Sequence, residues 1–218
     1  YAREVMFYQS IADKVELRTP RCLYTALDPE NNNFIMLLED LGHLAVGDHV
    51  SGCTLTEAKY VLSALARLHA GTWQASEFPN LISHNNPNQV AGQVNAFQVG
   101  WPKVNKLYPE LIPESAQIAG EKMPGAVARL VEEMCQEPIC ISHGDARLDN
   151  IFFDDDECVF VDMQSVATSA PEHDVSYFIT QSVPSAVRQE EDLVAFYHSE
   201  LTSLGIDYDL ARCRTRYR

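Results

Sequence analysis

The sequence predicts an α+β fold, and three observations carry that expectation. Short apolar runs flank polar turns at Cys22 to Leu27 with Phe34 to Leu38, and at Ile151 to Phe153 with Val159 to Val161, which is the pattern of β-hairpins. The stretch from Thr54 to Trp73 repeats apolar residues at helical spacing. Helical patterning then dominates the rest, near 94–108, 124–135 and 189–204, and again from Tyr208. A small strand-bearing unit followed by a mostly helical one is expected.

Composition bounds what such a fold does. The chain has 218 residues, 46% of them hydrophobic, enough to bury a sizeable core in one large domain or two lobes. Its formal net charge is −15, which argues against a nucleic-acid partner, because phosphate backbones call for clustered Lys and Arg. The charge does not argue against ATP, since a bound Mg²⁺ and a few local donors outweigh a global field. No apolar run approaches a membrane span, and the start has no signal-peptide pattern. Six cysteines lie scattered without metal-ligand spacing, which fits a reduced, cytoplasmic setting with Cys as small core residues.

In chain order, residues 1–12 read as a helix with Val5, Tyr8 and Ile11 at helical spacing and Glu4 near its start. Asp28 to Asn33 is a run of turn formers joining the first two strands. The second strand runs into Glu39-Asp40-Leu41-Gly42. Thr54 and Glu57 fit a capping box that opens the long helix. Val61, Leu62, Leu65, Leu68 and His69 share its apolar face, where His69 is expected to be a buried, hydrogen-bonded core histidine. Residues 77–92, with Pro79, Pro87, Gly92 and several Asn, read as loop. Near the C-terminus, Val187, Leu193, Phe196, Tyr197 and Leu201 would pack on the core, and Asp174 suits the N-cap of a helix over 175–179. The last Arg residues read as the polar face of a helix.

The stretch His143-Gly144-Asp145-Ala146-Arg147-Leu148-Asp149-Asn150 carries the chemistry. It follows the apolar run Ile139 to Ile141 and precedes the second hairpin, whose turn is the acidic Asp154 to Glu157. With that turn centred on Asp156, Asn150 falls opposite Asp162 at the open end, and Asp145 sits in the loop just before. An Asp, an Asn five residues on and a second Asp after a hairpin supply what phosphoryl transfer needs: oxygen ligands for Mg²⁺ and a carboxylate to orient the attacking hydroxyl. The order is also that of kinase catalytic-loop and metal-binding residues.

In these three elements the chain resembles the aminoglycoside phosphotransferase and choline kinase-like families of the protein-kinase-like fold, most nearly their ecdysteroid kinase-like branch. The resemblance implies a two-lobe architecture, with a partial N-lobe over 1–41 and a mostly helical C-lobe over 42–218. It implies an ATP- and Mg²⁺-dependent kinase acting on a small-molecule hydroxyl acceptor. Asp145 would be the catalytic base or orienting residue, with Arg147 near the transferred phosphate. Asn150 and Asp162 would hold the metal, while His143 and Asp174 support the loop. Glu4 would sit where those families pair a helix Glu with a phosphate-binding Lys, and the Glu39 carbonyl and Leu41 N–H would face adenine. Neither that Lys nor a glycine-rich loop is identifiable in the chain, so a fragment lacking the first N-lobe strands and cut at its end is expected. Met163 departs from the aromatic residue common after the metal-binding Asp; a flexible thioether fills similar space.

Alternatives stand beside several of these assignments. Glu4 also reads as an ordinary exposed helix residue, and Arg147 as an ion-pair partner of Asp149, two residues away. Trp101, Tyr108, Glu110 and Glu114 read better as packing or surface than as substrate contacts. Two other functions are compatible with the pattern: a kinase-like module that binds nucleotide or ligand without transfer, and a metal-dependent phosphohydrolase using His143, Asp145, Asp162 and His173. A protein kinase fits less well, because no Asp-Phe-Gly or Ala-Pro-Glu follows Asp162.

Overall fold

The computed structural model describes residues 1–74, 78 and 81–218. Its elements are mixed helix and strand, as the apolar spacing predicts. Helix α1 (Ala2–Ser10) buries Glu4, Val5, Phe7 and Tyr8, with Ile11 buried just beyond its end; positions 4, 7, 8 and 11 share one face at helical spacing. The antiparallel ribbon of β1 (Cys22–Asp28) and β2 (Asn33–Leu38) runs in the register Cys22↔Leu38 to Asp28↔Asn33. Its turn is closed by the Asp28 carboxylate, which accepts from the Asn31 N–H at 3.3 Å and the Asn31 side-chain amide at 2.7 Å.

A short strand β3 (Ala45–Val46) leads into α2 (Leu55–Gly71), the centre of the core. The capping box forms as expected: the Glu57 N–H donates to Thr54 Oγ1 at 3.2 Å, and the Thr54 N–H donates to Glu57 Oε2 at 2.8 Å. Two donors that the helix start would otherwise leave unpaired are thereby satisfied. Val61, Leu62, Leu65 and Leu68 are fully buried, so the predicted stripe is the packed face. Helix α7 (Leu193–Ser203) covers it from one side, through Tyr197 and Leu201.

Two helices start earlier than the sequence suggests. Helix α3 spans Pro87–Leu107 and α4 spans Glu114–Met134, against expected starts near 94 and 124. Pro87 reads as a loop residue but occupies the first helical turn, where a missing N–H costs nothing, and Asn86 caps it by accepting from the Asn88 N–H at 3.1 Å. Pro113 takes the N-cap position of α4, and that helix runs through Pro124. The loop expected over 77–92 is thus shortened, and residues 77, 79 and 80 lie outside the described residues. The two helices pack together at Trp101 and Gly120, where a Cβ on Gly120 would lie 2.0 Å from Trp101 Cζ2.

The remaining strands make two small sheets around the His143–Asn150 stretch. Strand β4 (Cys140–Ser142) pairs with β7 (Ala167–Ser169). The hairpin of β5 (Ile151–Asp154) and β6 (Glu157–Phe160) takes β3 on its outer edge. Helices α5 (Glu172–Ser182) and α6 (Ser185–Glu190) follow, then α7 and α8 (Leu210–Tyr217). The helical reading of 189–204 breaks at Glu191, which is extended, and Asp192 caps α7 by accepting from the Ala195 N–H at 2.9 Å. The arginines of α8 are occupied structurally. Arg216 donates to the carbonyls of Gln136 (2.8 Å) and Glu137 (3.0 Å) just beyond α4, Arg212 also donates to the Glu137 carbonyl, and Arg214 pairs with Asp192 at 2.5 Å. Cations at the carbonyl end of a helix are favourably placed.

Candidate active site

The catalytic stretch is shaped by its two ends. Strand β4 delivers Ser142, after which Gly144 turns the chain with φ +81°. A Cβ there would lie 2.4 Å from the Ser165 carbonyl oxygen, so both the conformation and the close backbone approach require glycine. Gly144→Ala is expected to destabilise the fold by about 1–3 kcal/mol, the range for strained backbone positions, measured as a lower urea midpoint. An unchanged midpoint would mean the loop has room to relax. At the far end, Leu148–Asn150 forms a single 3₁₀ turn with Leu148 fully buried, which anchors the loop in the core.

Asp174 organises the loop from below. It is completely buried and accepts from the His143 N–H (2.7 Å), the Gly144 N–H (2.9 Å) and Ser142 Oγ (2.7 Å). His69 Nε2 lies 3.2 Å from the same carboxylate, and His69 Nδ1 lies 2.7 Å from the Tyr197 hydroxyl. This is the expected buried, hydrogen-bonded His69. Burial pushes the Asp174 carboxyl up, but the His69 hydrogen bond and the charges of His69, His173 and His143 outweigh it. The net direction is well below the usual carboxylate range, and the backbone donors favour the charged form equally. Asp174 is not an N-cap, as its position before the apolar run suggests. The helix starts three residues earlier, at Glu172 with Pro171 at the cap, so Asp174 sits in its first turn and is buried.

His143 is committed to holding the loop. Its Nε2 lies 3.0 Å from the Val161 carbonyl and must donate; its Nδ1 then accepts from the Asp145 N–H at 3.3 Å. Neither ring nitrogen is left for a metal, and His173 is turned towards Ser142, Ser169 and His84. The geometry gives the phosphohydrolase arrangement no support.

Asn150 meets Asp145 directly, and the hairpin places Asp162 one residue beyond the position opposite Asn150, which corrects the expected register. Ile151 faces Phe160, and the Val161 N–H donates to the Asn150 carbonyl at 2.9 Å. Asn150 is therefore opposite Val161, because the turn is centred between Asp155 and Asp156 rather than on Asp156. Asp162 is the next residue and steps out of the strand in a left-handed conformation (φ 64°, ψ 62°). The Asn150 amide nitrogen donates to the Asp145 carbonyl (3.0 Å) and to Asp145 Oδ2 (3.1 Å). Arg147 turns back on Asp145, with Nε 3.7 Å from Oδ1. It does not pair with Asp149, which instead accepts from the His49 N–H at 3.2 Å.

Glu4 is buried, at 8% exposure, so the exposed-helix reading is wrong. Helix α1 packs on the turn Met163–Ser165, which brings Glu4 near Asp162. Burial, followed by the Asp162 charge, pushes its carboxyl up. Met163, next to Asp162, is fully buried. Glu39 fastens the end of β2: its carboxylate accepts from the Arg21 N–H at 3.0 Å. Leu41 is buried, and among the described residues no hydrogen bond occupies the Glu39 carbonyl or the Leu41 N–H. Sequence reasoning missed Ser142, whose hydroxyl donates to Asp174 at 2.7 Å.

The model of the ecdysteroid kinase-like family matches residues 1–206. The chain belongs to this family. Solved structures agree on the fold of this ecdysteroid kinase-like chain. The macrolide 2′-phosphotransferase of Brachybacterium faecium is 17% identical, with a TM-score of 0.52, covering 99% of this chain and 68% of that one. A choline/ethanolamine kinase family protein from Mesorhizobium loti is 14% identical (TM-score 0.52; 99% and 77% covered). Amicoumacin kinase, solved with AMP-PNP, Ca²⁺ and its antibiotic, is 9% identical (TM-score 0.63; 100% and 68% covered). At such identities the likeness shows the fold, which is the protein-kinase-like α+β fold. No curated protein matches the sequence. Among the described residues, no helix of this ecdysteroid kinase-like protein is long and apolar enough to cross a membrane.

Proposed function

We propose that the protein is an ATP-dependent phosphotransferase that moves the γ-phosphate onto a hydroxyl of a small molecule. The observation that carries this reading is the Asp145–Asn150–Asp162 constellation. The Asn150 amide nitrogen donates to Asp145, no hydrogen bond engages its amide oxygen among the described residues, and its backbone carbonyl accepts from Val161, the residue before Asp162. An amide oxygen and a carboxylate are the hard donors Mg²⁺ takes, together with substrate phosphates. Asn150 and Asp162 would therefore hold the ion. Bound there, Mg²⁺ neutralises charge on the phosphate oxygens.

Asp145 orients the acceptor hydroxyl and takes its proton at the carboxylate. Arg147 faces the same space and neutralises charge developing on the transferred group. His143 and Asp174 fix the loop so that Asp145 is presented in one geometry. The Glu39 carbonyl and the Leu41 N–H read adenine, and Glu4 braces the metal-side turn. Residues 1–41 form the nucleotide-side lobe and 42–218 the lobe that carries the chemistry, with a cytoplasmic location. Two proteins of similar fold, a macrolide 2′-phosphotransferase and amicoumacin kinase, carry small-molecule substrates in their names, which supports a small-molecule acceptor here.

Asp162→Ala is expected to weaken Mg²⁺-dependent ATP binding by about tenfold or more, or about 1.4 kcal/mol. Calorimetric titration with and without Mg²⁺ reads it. The same ATP affinity and Mg²⁺ dependence in the variant would remove Asp162 from the site.

A further inference from the structure

Glu172 is a carboxylate that the proposed transfer does not use, yet it is 2% exposed. It opens α5, two residues before Asp174. Tyr208 donates its hydroxyl to Glu172 Oε1 at 2.7 Å. Arg216 Nε lies 3.3 Å from Glu172 Oε2, an ion pair rather than an aligned hydrogen bond. The Arg216 side chain is 16% exposed, so solvent ions screen this pair little. Arg216 lies on α8, and Tyr208 stands just before the cap of that helix.

The same guanidinium has a second set of partners. Its Nη1 donates to the Glu137 carbonyl at 3.0 Å, and its Nη2 donates to the carbonyls of Gln136 at 2.8 Å and Glu133 at 3.4 Å. These carbonyls close α4 and lead into β4, which begins at Cys140. One planar, rigid group therefore spans two segments, the lead-in to β4 and the first turn of α5.

Those two segments carry the two halves of the support beneath Asp145. From β4 come the donors, Ser142 Oγ and the N–H groups of His143 and Gly144; from α5 comes their common acceptor, Asp174. The backbone joins the halves as far as Ala170: Cys140 pairs with Ser169, and the Ala170 N–H donates to the Met134 carbonyl at 2.7 Å. A helix held there alone would pivot about that point and carry Asp174 with it. Arg216 grips Glu172 past the pivot and ties it to the β4 lead-in.

We propose that Arg216 is a positioning residue for the loop that carries Asp145. Acting through Glu172, it fixes the first turn of α5, and with it the Asp174 carboxylate, against β4. The brace deepens the phosphotransferase reading and rests on it for its catalytic consequence, not for its existence.

Three variants of the full chain test it. Arg216→Ala removes the brace. Glu172→Gln keeps an acceptor for Tyr208 at nearly the same shape and removes the charge that Arg216 grips. Arg214→Ala, on the same helix, breaks the 2.5 Å pair with Asp192, which belongs to neither segment, and so controls for loss of stability alone. Hydrogen exchange at the His143 and Gly144 amides reads the loop, while the buried Leu65 and Leu68 of α2 read global unfolding. In Arg216→Ala and Glu172→Gln the loop amides should exchange about tenfold faster than the change at Leu65 and Leu68 accounts for; in Arg214→Ala the two sets should change together. Loop amides that move only with Leu65 and Leu68 in the first two variants would overturn the brace, whatever the activity. With Mg·ATP and an acceptor that turns over, at a temperature where every variant is folded, kcat should fall about tenfold in those two variants, the effect of misplacement by a fraction of an ångström. KM for ATP should not change. An unchanged kcat beside loosened amides would overturn the positioning role. The double variant should fall no further than Arg216→Ala; multiplying losses would overturn action through Glu172. Loosened loop amides in a protein that phosphorylates no acceptor in any form would leave the brace standing and sink the phosphotransferase reading instead.

Discussion

Asp145→Asn is expected to lower phosphoryl transfer by about 10²–10⁴-fold, the range for removing a general acid–base group, while ATP affinity changes little. Asn has the same shape and retains an oxygen for the Asn150 amide, which donates to Asp145 Oδ2 at 3.1 Å and to its carbonyl at 3.0 Å. The loop anchors do not involve the Asp145 side chain: they are Leu148 in the core and the His143 and Gly144 N–H groups on Asp174. What is lost is a negative, proton-accepting group and the neighbour of Arg147 Nε at 3.7 Å. Steady-state turnover and calorimetric ATP binding on the same preparation separate the two effects. A variant that retains most of its turnover would take Asp145 out of the proposed role.

Asp174→Ala is expected to have the largest effect on stability, about 3–5 kcal/mol, the cost of removing one side of a buried, hydrogen-bonded charge. The Ser142 hydroxyl, the His143 and Gly144 N–H groups and His69 Nε2 would all lose their acceptor in a site without solvent. Unpaired buried donors carry their full desolvation penalty. Urea unfolding measures this, and a loss below 1 kcal/mol would show that the loop finds other partners. The same group predicts acid sensitivity. Its folded-state carboxyl is depressed, so the stabilisation it provides is present above the unfolded value of about 3.9 and is lost as pH falls below that. His84, lowered by burial to about 4, adds an earlier loss, because its neutral form is favoured on folding and must protonate as pH drops from about 6.5.

The site was largely legible in the sequence because its information is local. Asp145 and Asn150 are five residues apart and hydrogen-bonded, and one hairpin carries the chain from Asn150 to Asp162, so spacing alone nearly fixes their places in the fold. The error of one register position came from placing the turn on Asp156, when Asp155 and Asp156 share it. The Thr54–Glu57 cap and the α2 stripe are likewise encoded within a few residues. The starts of α3 and α4 were not legible, because a proline reads as a breaker from sequence, whereas Pro87 lies in the first turn of α3 behind the Asn86 cap and Pro113 takes the N-cap position of α4. The burial of Glu4 and the pairing of Arg147 with Asp145 are tertiary facts.

The central claim is that Asp145 presents an acceptor hydroxyl to ATP held by Asn150 and Asp162. ADP release from Mg·ATP against a panel of hydroxylated small molecules, run in parallel with Asp145→Asn, tests it most directly. ADP release that requires an acceptor, yields a phosphorylated product and collapses in the variant is the predicted result. Release that needs no acceptor, or that proceeds undiminished in Asp145→Asn, would contradict the account.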